Sequence, residues 1–265
     1  MPAPNPARQR EARHRLDDFL AHPPAVWVLH YACQSFFQGQ RLGSPRVTTI
    51  AARNMDRGET ESFSIDTEAE LARVAPEDAP ANLDRLERAL LDKFYQFLMA
   101  NRSMRFVHWN MRDATYGFQA IEHRYRLLGG EPVTIAETQK LDLAKLFVDI
   151  YGPGYGGGQP RQTLAKLNHL SLLGFLTGEE EARSFDEGNY RAVQNSTLVK
   201  VKLHSDLAEL AQSHALKTEA NWWTLNFGRV REAYELFERN PLIAFASLVF
   251  AALSTGVGLL WKYFG

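Results

Sequence analysis

This chain is poor in cysteine, in net charge and, over its last stretch, in charge of either sign. Its one cysteine, Cys33, excludes an intramolecular disulfide and fits a reducing compartment. A formal net charge of -1 excludes a global pull toward polyanions, so any nucleic acid would need a local patch. The opening residues, MPAPNPARQREARHRLDDFLAH, are basic but carry no apolar stretch, so they do not read as a secretory signal. No internal repeat and no low-complexity tract interrupts the 265 residues.

The charge-free stretch runs from Pro241 to Trp261, with only Ser247, Ser254 and Thr255 as polar side chains. As a helix it would span roughly 30 Å, the thickness of a bilayer's hydrocarbon core. Trp261, Lys262, Tyr263 and Phe264 close it with the aromatic and cationic side chains that suit a headgroup zone. Lys217, Arg229, Arg231 and Arg239 precede it and only Lys262 follows, so the positive-inside rule keeps the N-terminal domain cytoplasmic. The expected organisation is an N-terminal helix over 1–22, a main domain over 23–217, a juxtamembrane helix over 218–240 and a single C-terminal anchor over 241–262. Ala244, Ser247, Ala251, Ala252, Gly256 and Gly258 offer small residues through which such a helix could self-associate into a homo-oligomer.

Periodicity sets the elements of the main domain. Residues 6–21 read as a solvated amphipathic helix ended by Pro23 and Pro24. The apolar run 25–32 reads as a strand. Segments 47–55 and 59–65 alternate as strands around an Asp56-Arg57-Gly58 hairpin turn. Thr67 is the expected cap of a short helix. Leu83, Leu86, Leu90, Leu91, Phe94, Phe97 and Leu98 mark a helix with one core-facing stripe. A buried strand over 104–109 follows, then a helix over 114–128 that stops at Gly129-Gly130. A further helix starts at Thr138 or Gln139, and helices are expected over 161–172, 179–194 and 196–216. Between them the glycine-rich stretch 152–158 reads as a flexible surface loop, because it lacks the Gly-Lys-Ser/Thr tail of a phosphate loop and follows a helix.

The order of these elements gives an α/β fold, a mixed sheet covered by helices. The order, together with FVHWNMRDATYGF over 106–118, resembles the DnaQ-type (DEDD) 3′–5′ exonucleases of the ribonuclease H-like superfamily over about residues 25–210. That family holds two divalent ions with carboxylates from the first strand, from an HNxxFD-like segment after the fourth strand and from a late helix. His108, Asn110 and Asp113 stand where the second motif stands, with spacing changed by one residue. The resemblance implies catalytic candidates in Asp113, Asn110 and His108, with Asp113 as metal ligand. The sequence departs from the family on the first strand, where His30, Tyr31, Ala32, Cys33 and Gln34 replace the acidic pair. Near the end, Tyr190 could stand for the family's His or Tyr, but no Asp follows at the right place.

Other readings stand beside these. Asp113 could cap the helix after it, and His30 and Cys33, with His108, could form a soft-metal site or be a hydrogen-bonded edge-of-strand histidine and a small buried hydrophobe. Arg105 and Arg112, with Arg102, Arg124 and Arg126, flank the second motif and would suit a phosphate backbone. The expected ligand-binding set is therefore His30, Arg105, Arg112 and Tyr190. The expectation is a membrane-anchored, exonuclease-like domain, catalytically degenerate, that binds a nucleic acid or nucleotide. The alternatives are an active metal-dependent exonuclease with a rearranged site, using magnesium or manganese, and a membrane scaffold. Magnesium or manganese is the expected cofactor only of the active nuclease; otherwise the cofactor is unknown.

Overall fold

Strand β1 (Val26–Cys33) is the spine of the molecule, and its alternation divides the core. Val26 and Val28 face one side of the sheet, while Trp27, Leu29 and Tyr31 face the other. The structure, a computed structural model, describes residues 5–34, 45–112 and 115–220. β1 pairs antiparallel with β2 (Val47–Asn54), which pairs antiparallel with β3 (Thr60–Ser64). On its other edge β1 pairs parallel with β4 (Arg105–His108), which pairs parallel with β5 (Lys140–Asp142). The result is a five-stranded mixed sheet in the order β3-β2-β1-β4-β5, covered by helices on both faces.

The hairpin between β2 and β3 forms where the sequence places it. Asn54 accepts both the Asp56 and Arg57 amides through its side chain, and Gly58 takes a φ of 67°. The short helix α2 (Ile65–Leu71) is capped by the Ser64 hydroxyl, which accepts the Thr67 amide, so the cap lies three residues earlier than expected. Helix α3 (Ala79–Ala100) lays Leu86, Leu90, Leu91, Phe94 and Leu98 on the face that holds Trp27, Leu29 and Phe106. Helix α4 (Phe118–Leu127) covers the same face and starts four residues later than the sequence suggests.

The opposite face is covered by α1 (Pro6–Leu20), α5 (Leu143–Tyr151), α6 (Pro160–Leu167) and α8 (Tyr190–Gln212). α1 is no solvated appendage. Leu16, Phe19 and Leu20 are buried in this core, and Gln9 and Arg13 donate to the Ile150 and Ala211 carbonyls. α5 begins at Leu143, not at residue 138 or 139, because Asp142 caps it by accepting the Ala144 and Lys145 amides. The three residues before it form β5. The glycine-rich stretch 152–158 is pinned rather than loose: Tyr155 is buried in the core and its carbonyl accepts the Glu219 amide. α7 (Gly178–Asp186) and α8 break at Gly188 and Asn189, not near residue 195.

Among the described residues no helix is long and apolar enough to cross a membrane. The expected anchor 241–262 and all but the first residues of the juxtamembrane segment lie outside the described residues.

Candidate functional site

The carboxyl end of β1 opens into a cleft of about 870 Å³ between α6, α7 and α8. Its walls include His30, Tyr116, Arg161, Glu181, Arg183 and Lys200. Local sequence fixes each wall. α7 starts in a reciprocal cap, with the Thr177 hydroxyl accepting the Glu180 amide while the Glu180 carboxylate accepts the Thr177 amide. That sets the next residue, Glu181, on the buried side. On α8, Ser196 accepts the Leu176 amide at 2.9 Å, which ties the helix to the loop before α7. One turn on, Lys200 reaches Glu181 at 2.6 Å. One further turn brings His204 edge-on to His30, with ring centroids 5.2 Å apart. The Tyr116 wall is fastened to the strand itself: its hydroxyl donates to the Tyr31 carbonyl at 3.0 Å and the two rings stack at 4.6 Å.

The electrostatics at the inner end are unusual. Lys200 is 1% exposed and Glu181 4%. Burial pulls the Lys200 ammonium down to about 8, against the pull of Glu181, with Arg161 adding to the depression. It therefore stays charged at neutral pH. His30 and His204 are held neutral, well below the ordinary histidine value, first by burial; His204, Lys200 and Arg161 add to the effect on His30, and Arg161 and Lys200 to that on His204. Nδ1 of His30 and both ring nitrogens of His204 have no hydrogen-bond partner among the described residues. His204 is instead stacked on Trp109, with ring centroids 5.2 Å apart. Burial and the Glu181 carboxylate push the Cys33 thiol up to about 12, which makes it a poor nucleophile and a poor soft-metal ligand.

The structure separates the other expected site residues from this cleft. His108 points to the opposite face of the sheet, edge-on to Phe118, where its Nδ1 accepts the Met111 amide at 3.2 Å and burial lowers it to about 4. Asn110 sits at φ 56°, and its amide donates to the Asp142 carboxylate. Arg112 pairs with the other oxygen of Asp142 at 2.7 Å. The recess beside His108 and Arg112 holds about 30 Å³, room for little more than water. Arg105 lies at the amino end of β4, the far end from the cleft. There it donates to the Asp18 and Phe19 carbonyls and its guanidinium lies over the Phe19 ring. Tyr190 packs against Phe185 at 5.0 Å, and Asp113 lies outside the described residues. Of the expected ligand-binding set, only His30 lines the cleft.

Sequence reasoning missed Arg161, Glu181, Lys200 and His204. One signal was present: Thr197, Lys200 and His204 recur at three- and four-residue spacing along the buried side of α8.

A magnesium or manganese pair needs several oxygen ligands. Among the described residues no group of three or more His, Cys, Asp or Glu side chains converges to hold a metal. The buried carboxylate of the cleft, Glu181, already holds an ammonium. The described donors thus do not fit the two metals that the resemblance implies; they are cationic where a metal site is anionic. A comparison with known protein families and with curated proteins finds no match.

Proposed function

We propose that the chain is a membrane-anchored binding module of ribonuclease H-like type, related to the DnaQ-type exonucleases but without their metal-dependent cleavage. Its ligand, a nucleotide or nucleic acid, enters the cleft at the carboxyl end of β1. The observation that carries this reading is Lys200: a buried, charged ammonium faces His30 across the place where that family keeps metal carboxylates. A fixed cation there attracts phosphate without a metal and leaves no site for a metal-bound nucleophile. The mixed sheet supports the fold reading, because β1 joins an antiparallel half to a parallel half and so opens its carboxyl end between helices. The charge-free run 241–261 supports the membrane location, with the domain on the cytoplasmic side and self-association through the small residues of that helix.

The test is to incubate the full chain in detergent with single-stranded DNA and RNA, with magnesium or manganese and then with a chelator. Retention of intact ligand under all conditions is expected. Robust metal-dependent degradation that is abolished by Asp113→Asn would establish the rearranged exonuclease instead. Absence of any nucleotide or nucleic-acid binding would leave the membrane scaffold.

A further inference from the structure

The cleft has an inside and a rim of opposite character. Inside, Lys200 carries three N–H donors and has one carboxylate partner, Glu181. Arg161, half-buried in the same wall, has no carboxylate partner among the described residues, and its guanidinium lies 5.7 Å from the centre of the Phe175 ring. The Lys200 ammonium lies 5.2 Å from the centre of the same ring, so one aromatic side chain positions both cations. His30, 2% exposed, lines the cleft with an unpartnered ring nitrogen. Two cations, Lys200 and Arg161, therefore stand against one buried carboxylate, and the inner wall is net positive. An anion would correct the imbalance. At the mouth stand the exposed carboxylates Glu179, Asp186 and Glu187, with the exposed Arg183 among them and Asp186 accepting from Gln34, so the rim is net negative. A strand of phosphodiesters leaving the cleft would run past them and be repelled.

We propose that this cleft binds one terminal phosphate, a phosphomonoester on a nucleoside-sized body, rather than the backbone of a polynucleotide. The proposal rests on the nucleotide-binding reading above and narrows it. Arg161 and Lys200 hold the phosphate, and the His30 ring contributes a further hydrogen bond. The volume of about 870 Å³ suits a ligand of that size and leaves room for the body as well as the anion. The acidic rim sets specificity by rejecting a second phosphate.

The experiment is calorimetric titration of the full chain in detergent with five probes. They are a ribonucleoside 5′-monophosphate set, the 3′-monophosphate isomers, the parent nucleosides, inorganic phosphate and oligothymidylate. Binding of one or more monophosphates is expected, with the parent nucleoside and the oligonucleotide each at least about tenfold weaker. Arg161→Gln, a half-buried position, should weaken the monophosphate at least about tenfold while the thermal midpoint holds. The double variant Lys200→Met/Glu181→Leu removes the pair together, so it leaves no lone buried charge, and should abolish binding. Oligonucleotide binding without monophosphate binding overturns this inference and leaves the broader reading standing. Inorganic phosphate bound as tightly as any nucleotide supports the phosphate pocket and overturns the nucleotide reading. No binding by any probe overturns both.

Discussion

Among the described residues the buried carboxylates Glu68, Glu87 and Glu181 are each paired with a cation, and the last two are built to opposite plans. Glu87 on α3 accepts from the Val47 amide, Arg46 and Arg124, the last through two of its nitrogens. Burial pushes its carboxyl up, and these donors hold it down. Glu181 on α7 meets one lysine, at the edge of a cleft, beside histidines whose nitrogens lack partners. The Glu87 carboxylate accepts on both oxygens and clamps α3, α4 and the start of β2 together. The Glu181 carboxylate meets a single ammonium and faces open space. A buried charge with every bond made is scaffold, whereas a buried charge with bonds to spare beside a cavity is a candidate site.

The comparison breaks most sharply under mutation. Glu87→Gln leaves two guanidiniums with only the exposed Asp84 as counter-charge, and arginine cannot escape by losing its proton. A loss of about 3–5 kcal/mol in urea unfolding is expected, with ligand affinity unchanged in whatever remains folded. Glu181→Gln should cost less, about 1–3 kcal/mol, because burial already pulls the Lys200 ammonium down to about 8 and, without the carboxylate, it can shed its proton. Equal losses from the two variants would erase the distinction.

Acid provides the next effect in size. His30, His108 and His204 are all held neutral by burial, below the ordinary value of 6.5. Below about pH 6.5 the unfolded chain takes up protons that the folded protein refuses, so stability falls as pH falls. The slope approaches about 1.4 kcal/mol per pH unit for each histidine, and for His108 it ends near pH 4. A stability profile that is flat between pH 6.5 and 5 would show that these rings are not neutral and buried. The smallest expected effect is that of Arg105→Ala, about 1 kcal/mol of stability from its contacts to the end of α1, with no change in ligand affinity.

The fold was largely legible because its strongest elements are local. The leucine and phenylalanine stripe of α3 and the Asp56-Arg57-Gly58 turn each declare themselves within a few residues. β5 was not legible, because three residues carry no period and exist as a strand only against β4. The helical face of α1 was visible, but what it buries against was not. The candidate site was legible in one residue, His30. Its partners Arg161, Glu181, Lys200 and His204 lie on three different helices far along the chain, and only the topology brings them to the end of β1. Closeness in sequence misled in the other direction. Arg105 and Arg112 flank one short strand, and a strand of four residues at about 3.3 Å each carries them to opposite ends of the sheet.

The central claim is that a lysine stands in for metal in this cleft. It is tested most directly by measuring the affinity of the full chain for nucleoside monophosphates in a chelator and again in excess magnesium. Equal affinities in the two conditions are expected, lost together in Lys200→Met/Glu181→Leu. Binding that appears only with magnesium and vanishes in Asp113→Asn would contradict the claim.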